Sequence, residues 1–139
     1  MQKKLRIKND IHELSTMSHF LEEVGEELKL NTSLVMSLNL VVEEAVSNII
    51  FYAYEKDANI VDAVDLSVER EGSELIVRVE DHGLAFDPTA EEDPDITLSA
   101  EDRPVGGLGI FLIKKVMDEV SYQRSGDRNI VIMKKKIIE

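Results

Sequence analysis

The chain contains no cysteine. That excludes a disulfide framework, a Cys-ligated zinc site and a thiol nucleophile, and it is compatible with a reducing compartment. No apolar run approaches the ~20 residues of a membrane span. Lys3, Lys4, Arg6 and Lys8 open the chain, but no apolar segment follows them as it does in a secretory leader, so the expected location is the cytoplasm. Positive charge is also scarce. Sixteen Lys and Arg stand against 28 Asp and Glu, for a net charge of −12. Such a chain repels phosphate backbones and anionic bilayers, so neither nucleic acid nor membrane is expected as a partner. Only three prolines occur, Pro88, Pro94 and Pro104, all in one stretch.

What is present is globular. Hydrophobic residues make up 43% and charged residues 32% of 139, enough for one domain, 1–139, that buries a core without a metal or disulfide staple. Leu5 to Ile7 reads as a short strand. Leu14, Met17, Leu21, Val24 and Leu28 recur at helical spacing, with Glu22, Glu23, Glu26 and Glu27 largely off that stripe, on a solvated or partner-facing side. Asn31 is a good N-cap, and the stripe Leu34, Leu38, Val41, Ala45, Ile49, Tyr52 predicts a second helix running to Tyr54. Val64–Glu69 and Leu75–Glu80 alternate with the period of half-buried strands, and Arg70-Glu71-Gly72-Ser73 makes the turn of a hairpin. Between Asp81 and Gly107 the patterning collapses into a long loop, which in a small domain is usually functional or disordered. Ile110, Ile113, Val116 and Met117 then predict a helix to about Glu119, and Val120–Arg124 and Asn129–Lys135 flank a Ser125-Gly126-Asp127 turn. Hairpins with helices long enough to cover a sheet predict an α+β fold. The expected form is a two-layer α/β sandwich whose mixed, mostly antiparallel sheet is covered on one face by helices.

Three short constellations carry candidate chemistry. Glu44 and Asn48 are i,i+4 neighbours beside the apolar stripe of the second helix, while Glu43 faces water. A carboxylate and a carboxamide so placed suit a hydrated Mg²⁺ and a nearby hydroxyl, although an ordinary surface pair has the same spacing. Asp81-His-Gly83-Leu-Ala-Phe86-Asp-Pro88 follows a strand end. A carboxylate there suits an exocyclic amino group of a base, and Gly83 admits a close backbone approach or a positive φ; a plain turn uses the same residue types. His82 invites a general-base role but sits where most histidines simply face solvent, and His12 and His19 have no partner pattern. Gly106-Gly107-Leu108-Gly109 opens the third helix, where backbone N–H groups and the helix dipole favour phosphate. It is neither a Rossmann fingerprint nor a P-loop, because Leu112 takes the third glycine position and no Gly-Lys-Ser/Thr follows.

The ordered set resembles the nucleotide-binding fold shared by gyrase, Hsp-type chaperone ATPases, histidine kinases and MutL proteins, the GHKL or Bergerat ATP-binding fold. Its N box, G1 box and G2 box have this order, and its ATP lid corresponds to residues about 84–106. Within that group, Glu43-Glu-Ala-Val-Ser-Asn48-Ile-Ile-Phe-Tyr-Ala-Tyr54, Asp81 to Pro88, and Gly106-Gly-Leu-Gly-Ile-Phe-Leu-Ile113 with Met117-Asp-Glu-Val120 are similar to the stand-alone anti-sigma factor serine/threonine kinases. The similarity spans about Leu5 to Lys135. Tyr52 departs from the His or Arg of many relatives, and Ala85 from a frequent Pro or Gly.

The resemblance implies that Glu44 is the catalytic glutamate and Asn48 the magnesium ligand. It implies that Asp81 holds the adenine amino group, that Gly83 makes room for the base, and that Gly107 and Gly109 flank the phosphates. The implied cofactor-binding set is therefore Asn48, Asp81, Gly83, Phe86, Arg103, Gly107, Leu108 and Gly109, with ATP and Mg²⁺ as cofactors. It also implies transfer of the γ-phosphoryl group to a STAS-domain anti-anti-sigma protein, a sigma factor as a further partner, and a homodimer. A non-catalytic, nucleotide-gated binding module and a histidine kinase-type ATPase domain acting in trans are the alternatives. From Glu80 to Asp102 there are nine acids (Glu80, Asp81, Asp87, Glu91, Glu92, Asp93, Asp95, Glu101, Asp102) and no Lys or Arg. Arg103, the first cation after them, is therefore expected to help close the lid over ATP.

Overall fold

A computed structural model of the chain describes residues 2–8, 10–50, 63–85 and 107–137, with the backbone alone for 107–110. In chain order the elements are β1 (Gln2–Ile7), α1 (Glu13–Glu27), α2 (Thr32–Asn48), β2 (Val64–Glu71), β3 (Glu74–Asp81), α3 (Gly107–Val116), β4 (Glu119–Ser125) and β5 (Arg128–Lys136). The five strands form one sheet in the order β1-β2-β3-β5-β4. All four pairings are antiparallel, in keeping with the mostly antiparallel sheet expected. Among the described residues, no helix is long and apolar enough to cross a membrane.

Strand alternation decides which face is covered. Leu5 and Ile7, Val64, Leu66 and Val68, Leu75, Val77 and Val79, and Met133 share one face and join one core with Met17, Leu21 and Val24 of α1 and Leu38, Val41, Val42 and Val46 of α2. The opposite face carries Arg6, Asp65, Arg78, Glu80 and Arg128, tied by ion pairs of Arg6 and Arg128 to Asp65 and of Arg78 and Arg128 to Glu80. Solvent-accessible pairs of this kind contribute about 0–1 kcal/mol each, so burial on the helical face supplies most of the stability.

Both hairpins close in two residues. Glu71 pairs with Glu74 across Gly72-Ser73, and Ser125 pairs with Arg128 across Gly126-Asp127. Gly72 and Gly126 have φ of 63° and 61°, the left-handed region that costs glycine nothing. These turns are tighter than the four- and three-residue turns read from the sequence, because Glu71 and Ser125 continue the ladder.

Asn31 caps α2 as expected, its Oδ1 accepting from Leu34 N–H at 2.8 Å. The α-helix runs to Asn48 and continues in π-helical geometry at Ile49 and Ile50, and the rest of the expected extension, to Tyr54, lies outside the described residues. The expected stripe is also shifted. Val42 and Val46 are fully buried, whereas Ala45 and Ile49 are only partly so, because α2 packs on both α1 and α3 and so needs a wider apolar face. The third helix ends at Val116 rather than near Glu119. Asp118 N–H is taken by Lys134 O at 2.9 Å and Glu119 pairs with Lys134, so the sheet captures the last predicted turn.

Candidate functional site

The contacts fix the direction of each helix relative to the sheet. One end of the sheet is the row Ile7, Val64, Asp81, Asn129, Arg124; the other holds the Gly72 turn. α1 starts after Ile7 and finishes at the Gly72 end, where Lys3 pairs with Glu27 and Arg70 Nη1 donates to Leu28 O at 3.0 Å and Lys29 O at 3.2 Å. Its C terminus closes as a Schellman motif, with Leu30 N–H to Gly25 O at 2.8 Å, Lys29 N–H to Glu26 O at 3.3 Å, and Lys29 in the left-handed region at φ 57°.

α2 begins alongside that terminus. A Cβ on Gly25 would stand 2.5 Å from Val35 Cγ2, which shows how closely the two helices approach there. Seventeen residues rise about 26 Å, so Glu44 and Asn48, in the last turn of α2, lie far from that terminus. α3 is fixed by its C terminus. Lys135 Nζ donates to Val116 O at 2.7 Å, and Lys135 pairs with Leu75 beside the Gly72 end. The N terminus of α3, with Gly107, Leu108 and Gly109 in its first turn, therefore points toward the Asp81 end, and α3 packs on α2.

Glu44 and Asn48 are both half-buried while Glu43 is exposed, the distribution expected of polar groups at the margin of a core. Asp81 is one of two buried polar side chains among the described residues, at 4% exposure; the other is Asn129. Asp81 Oδ1 accepts from Gly83 N–H at 2.8 Å and from Asn129 Nδ2 at 2.9 Å. Among the described residues Oδ2 receives no hydrogen bond. Burial pushes the Asp81 carboxyl above the usual carboxylate range, and the hydrogen bonds from Asn129 and Gly83 partly oppose this. Gly83 thus orients Asp81 through its N–H, and its carbonyl accepts from Arg124 Nη1 at 2.9 Å. His82 is drawn to the β4–β5 turn, with Nδ1 3.6 Å from Asp127 Oδ2. Phe86 and Arg103 lie outside the described residues, as does the proposed lid apart from Leu84 and Ala85.

Three residues that the sequence did not single out complete this end: Asn129 and Tyr122, joined by Tyr122 O–H to Asn129 Oδ1 at 2.6 Å, and Arg124. Asn129 also donates to Leu84 O at 2.8 Å. The one signal available was an asparagine interrupting the apolar alternation at the start of β5; its meaning depends on a pairing with a residue 48 positions away.

The chemistry of the donor set can be tested against Mg²⁺. Among the described residues no group of three or more His, Asp or Glu side chains could hold a metal, so no all-protein cage is offered there. One amide oxygen at Asn48, on the helix that packs against α3, fits the way Mg²⁺ binds, through few protein ligands with phosphate oxygens and waters filling the rest.

Comparison with known proteins agrees with this geometry. The model of the family described as histidine kinase-like ATPase domain matches residues 7–135. The chain is 29% identical over 124 residues to the serine/threonine-protein kinase BtrW of Bordetella bronchiseptica, covering 84% of this chain and 86% of that one. It is 31% identical over 106 residues to the serine-protein kinase RsbW of Listeria monocytogenes, covering 72% and 65% respectively. Among solved structures, the RsbU and RsbW domains of Rv1364c from Mycobacterium tuberculosis match with a TM-score of 0.69 at 11% identity, over 99% of this chain and 32% of that one. The SiaB–SiaC complex from Pseudomonas aeruginosa matches at 0.62 and 17% identity, over 99% and 89%; these two likenesses concern the fold. With its α+β architecture and a family match over nearly its whole length, the chain belongs to the histidine kinase-like ATPase domain family.

Proposed function

We propose that the chain is a Mg²⁺-ATP-dependent protein serine/threonine kinase, a partner-switching anti-sigma factor that phosphorylates a STAS-domain antagonist. The observation that carries this reading is the buried Asp81 carboxyl at the end of β3, held through Oδ1 by Gly83 and Asn129 while Oδ2 receives no hydrogen bond among the described residues; the packing of α2 on α3, which bear the other two constellations, supports it. The relatives named serine-protein kinases support the same activity.

In this reading the Asp81 carboxylate accepts from the 6-amino group of adenine through Oδ2, and the turn at Gly83 lies against the base. Backbone N–H groups in the first turn of α3, at Gly107, Leu108 and Gly109, face the phosphates, where the positive end of the helix dipole stabilises them. Asn48 holds Mg²⁺, which when bound neutralises charge on the transferring phosphoryl group. Glu44 orients the incoming Ser or Thr hydroxyl and accepts its proton as the oxygen–phosphorus bond forms and ADP leaves. Such a base contributes about 10²–10⁴-fold. From the sequence alone, Phe86 is assigned to nucleotide binding and Arg103 to closing the lid, about residues 84–106.

Incubating the chain with γ-labelled ATP, Mg²⁺ and a candidate STAS-domain protein should label that protein on Ser or Thr. Binding of Mg²⁺-ATP with no label on any such protein overturns the kinase assignment and favours a nucleotide-gated binding module. Acid-labile phosphate on a partner histidine favours a histidine kinase-type domain acting in trans.

A further inference from the structure

The Asn129 side chain is held on both of its polar atoms. Nδ2 faces Asp81 Oδ1 at 2.9 Å and Leu84 O at 2.8 Å, and Oδ1 faces the Tyr122 hydroxyl at 2.6 Å. The backbone carbonyl of Leu84 can only accept, as can Asp81 Oδ1 once ionised, so the atom between them must be the amide NH₂. The amide oxygen then points at Tyr122, whose hydroxyl donates. Polarity runs in one direction, from Tyr122 through Asn129 to Asp81, and each bond strengthens the next in a buried setting. Gly83 N–H reinforces it at the same oxygen. The two donors on Oδ1 favour the carboxylate form, which leaves Oδ2 an acceptor with no proton to give.

We infer that Tyr122 and Asn129 are positioning residues that lock Asp81 as a hydrogen-bond acceptor toward the ligand, and so select a purine nucleotide with a 6-amino group over one with a 6-oxo group. This rests on the nucleotide reading above and adds to it the origin of base selectivity. A 6-oxo group needs a donor opposite it, and Asp81 supplies one only when it is protonated. Burial favours that protonated form, whereas the bonds from Asn129 and Gly83 oppose it, together with the nearby charge of Arg124. Removing the Asn129 donor therefore shifts the balance toward a carboxyl that can accept either base.

The test compares ATP with inosine triphosphate, which differs at the 6-position while keeping the ribose and triphosphate. Dissociation constants for both with Mg²⁺ are measured by calorimetry on the full chain as wild type, Asn129→Asp and Tyr122→Phe. Asn129→Asp keeps the side-chain volume and sets an acceptor against Asp81, and Tyr122→Phe removes a single hydroxyl. Wild type should prefer ATP. That preference should fall about tenfold in Asn129→Asp, the effect of one hydrogen bond to a charged group, and by a smaller factor in Tyr122→Phe. An unchanged ratio in both variants overturns the inference, and so does a parallel loss of both affinities, which is the signature of a merely structural role. Equal binding of the two nucleotides by wild type overturns it while leaving the nucleotide reading intact. Wild type that binds neither overturns the nucleotide reading itself. If Asn129→Asp fails to fold, the ratio in Tyr122→Phe decides.

Discussion

The two hairpin turns use the same device for different ends. In each, an arginine two residues before the turn glycine donates its Nε to that glycine's carbonyl, Arg70 to Gly72 at 3.0 Å and Arg124 to Gly126 at 3.1 Å. Each then reaches out with Nη1. Arg70 reaches the C-terminal carbonyls of α1 at Leu28 and Lys29, and Arg124 reaches the carbonyl of Gly83 beside Asp81. The Gly72 end of the sheet is tied to itself, with Ile137 N–H on Ser73 O at 2.7 Å and Lys136 N–H on Asp118 Oδ2 at 2.6 Å. The Asp81 end spends its hydrogen bonds on orienting one buried carboxylate. The same local chemistry thus ties a helix terminus at one end and the turn beside a buried carboxyl at the other.

The largest expected effect lies in the proposed site. Glu44→Gln should lower phosphoryl transfer by about 10²–10⁴-fold while leaving the ATP dissociation constant within a factor of about two, because the side chain is assigned to proton transfer rather than to nucleotide affinity. Single-turnover kinetics with labelled ATP measures the first and calorimetry the second; a matched loss in both would reassign Glu44 to binding.

Asp81→Asn should separate affinity from stability. Replacing Oδ2 with an NH₂ group sets donor against donor at the adenine amino group, and ATP affinity should fall about 10–100-fold. Stability should move the other way. The folded-state pKa of Asp81 is raised, so keeping it ionised costs fold stability above that pKa, and the cost fades as the pH falls through it. Asparagine keeps an oxygen for Gly83 and Asn129 and removes the cost. The variant should therefore melt above wild type at pH 7, with the difference shrinking on acidification. A lower melting temperature at pH 7 would show that the second oxygen holds structure.

At the other end, Gly25→Ala places a methyl 2.5 Å from Val35 Cγ2. Val35 is β-branched and stiff on its helix, so overpacking of about 1–3 kcal/mol should outweigh the gain in helix propensity of up to about 1 kcal/mol. A lower urea midpoint at constant slope is the expected result, and a rise would mean that α2 moves aside freely.

The smallest effects sharpen the comparison most directly. Arg70→Ala should cost about 1 kcal/mol of stability and leave ATP binding unchanged. Arg124→Ala, whose side chain is exposed, should weaken ATP binding a few-fold and barely move the urea midpoint. Equal effects of both on both readouts would erase the distinction between the two ends.

Local features were legible in the sequence because they depend on neighbours along the chain. The Asn31 cap, the glycines at 72 and 126, the alternation of β2 and β3, and the i,i+4 relation of Glu44 and Asn48 all follow from spacing. Features that depend on partners brought from far away were not. The pairing of Asp81 with Asn129 spans 48 residues, and nothing in either segment announces it, so the residue that most tightly controls Asp81 was missed. Val42 and Val46 were left out of the predicted stripe because a single-faced helix was assumed where α2 meets two neighbours. Asp118 and Glu119 extended a helical pattern that the sheet then claimed, since a strand partner at Lys134 outweighs one more turn of helix.

The bond from Lys135 to the last carbonyl of α3 also has a mechanical meaning. With Asp118 joined to Lys134 directly behind it, the helix is anchored at its C terminus and about 15 Å long. By simple leverage, a tilt of about 4° carries its glycine-bearing tip about 1 Å, while residues next to the anchor hardly move. α3 packs on α2, the helix that bears Glu44 and Asn48. One lysine and the length of one helix thus set how far a given tilt of α3 would carry its N terminus, a gear ratio written into the fold.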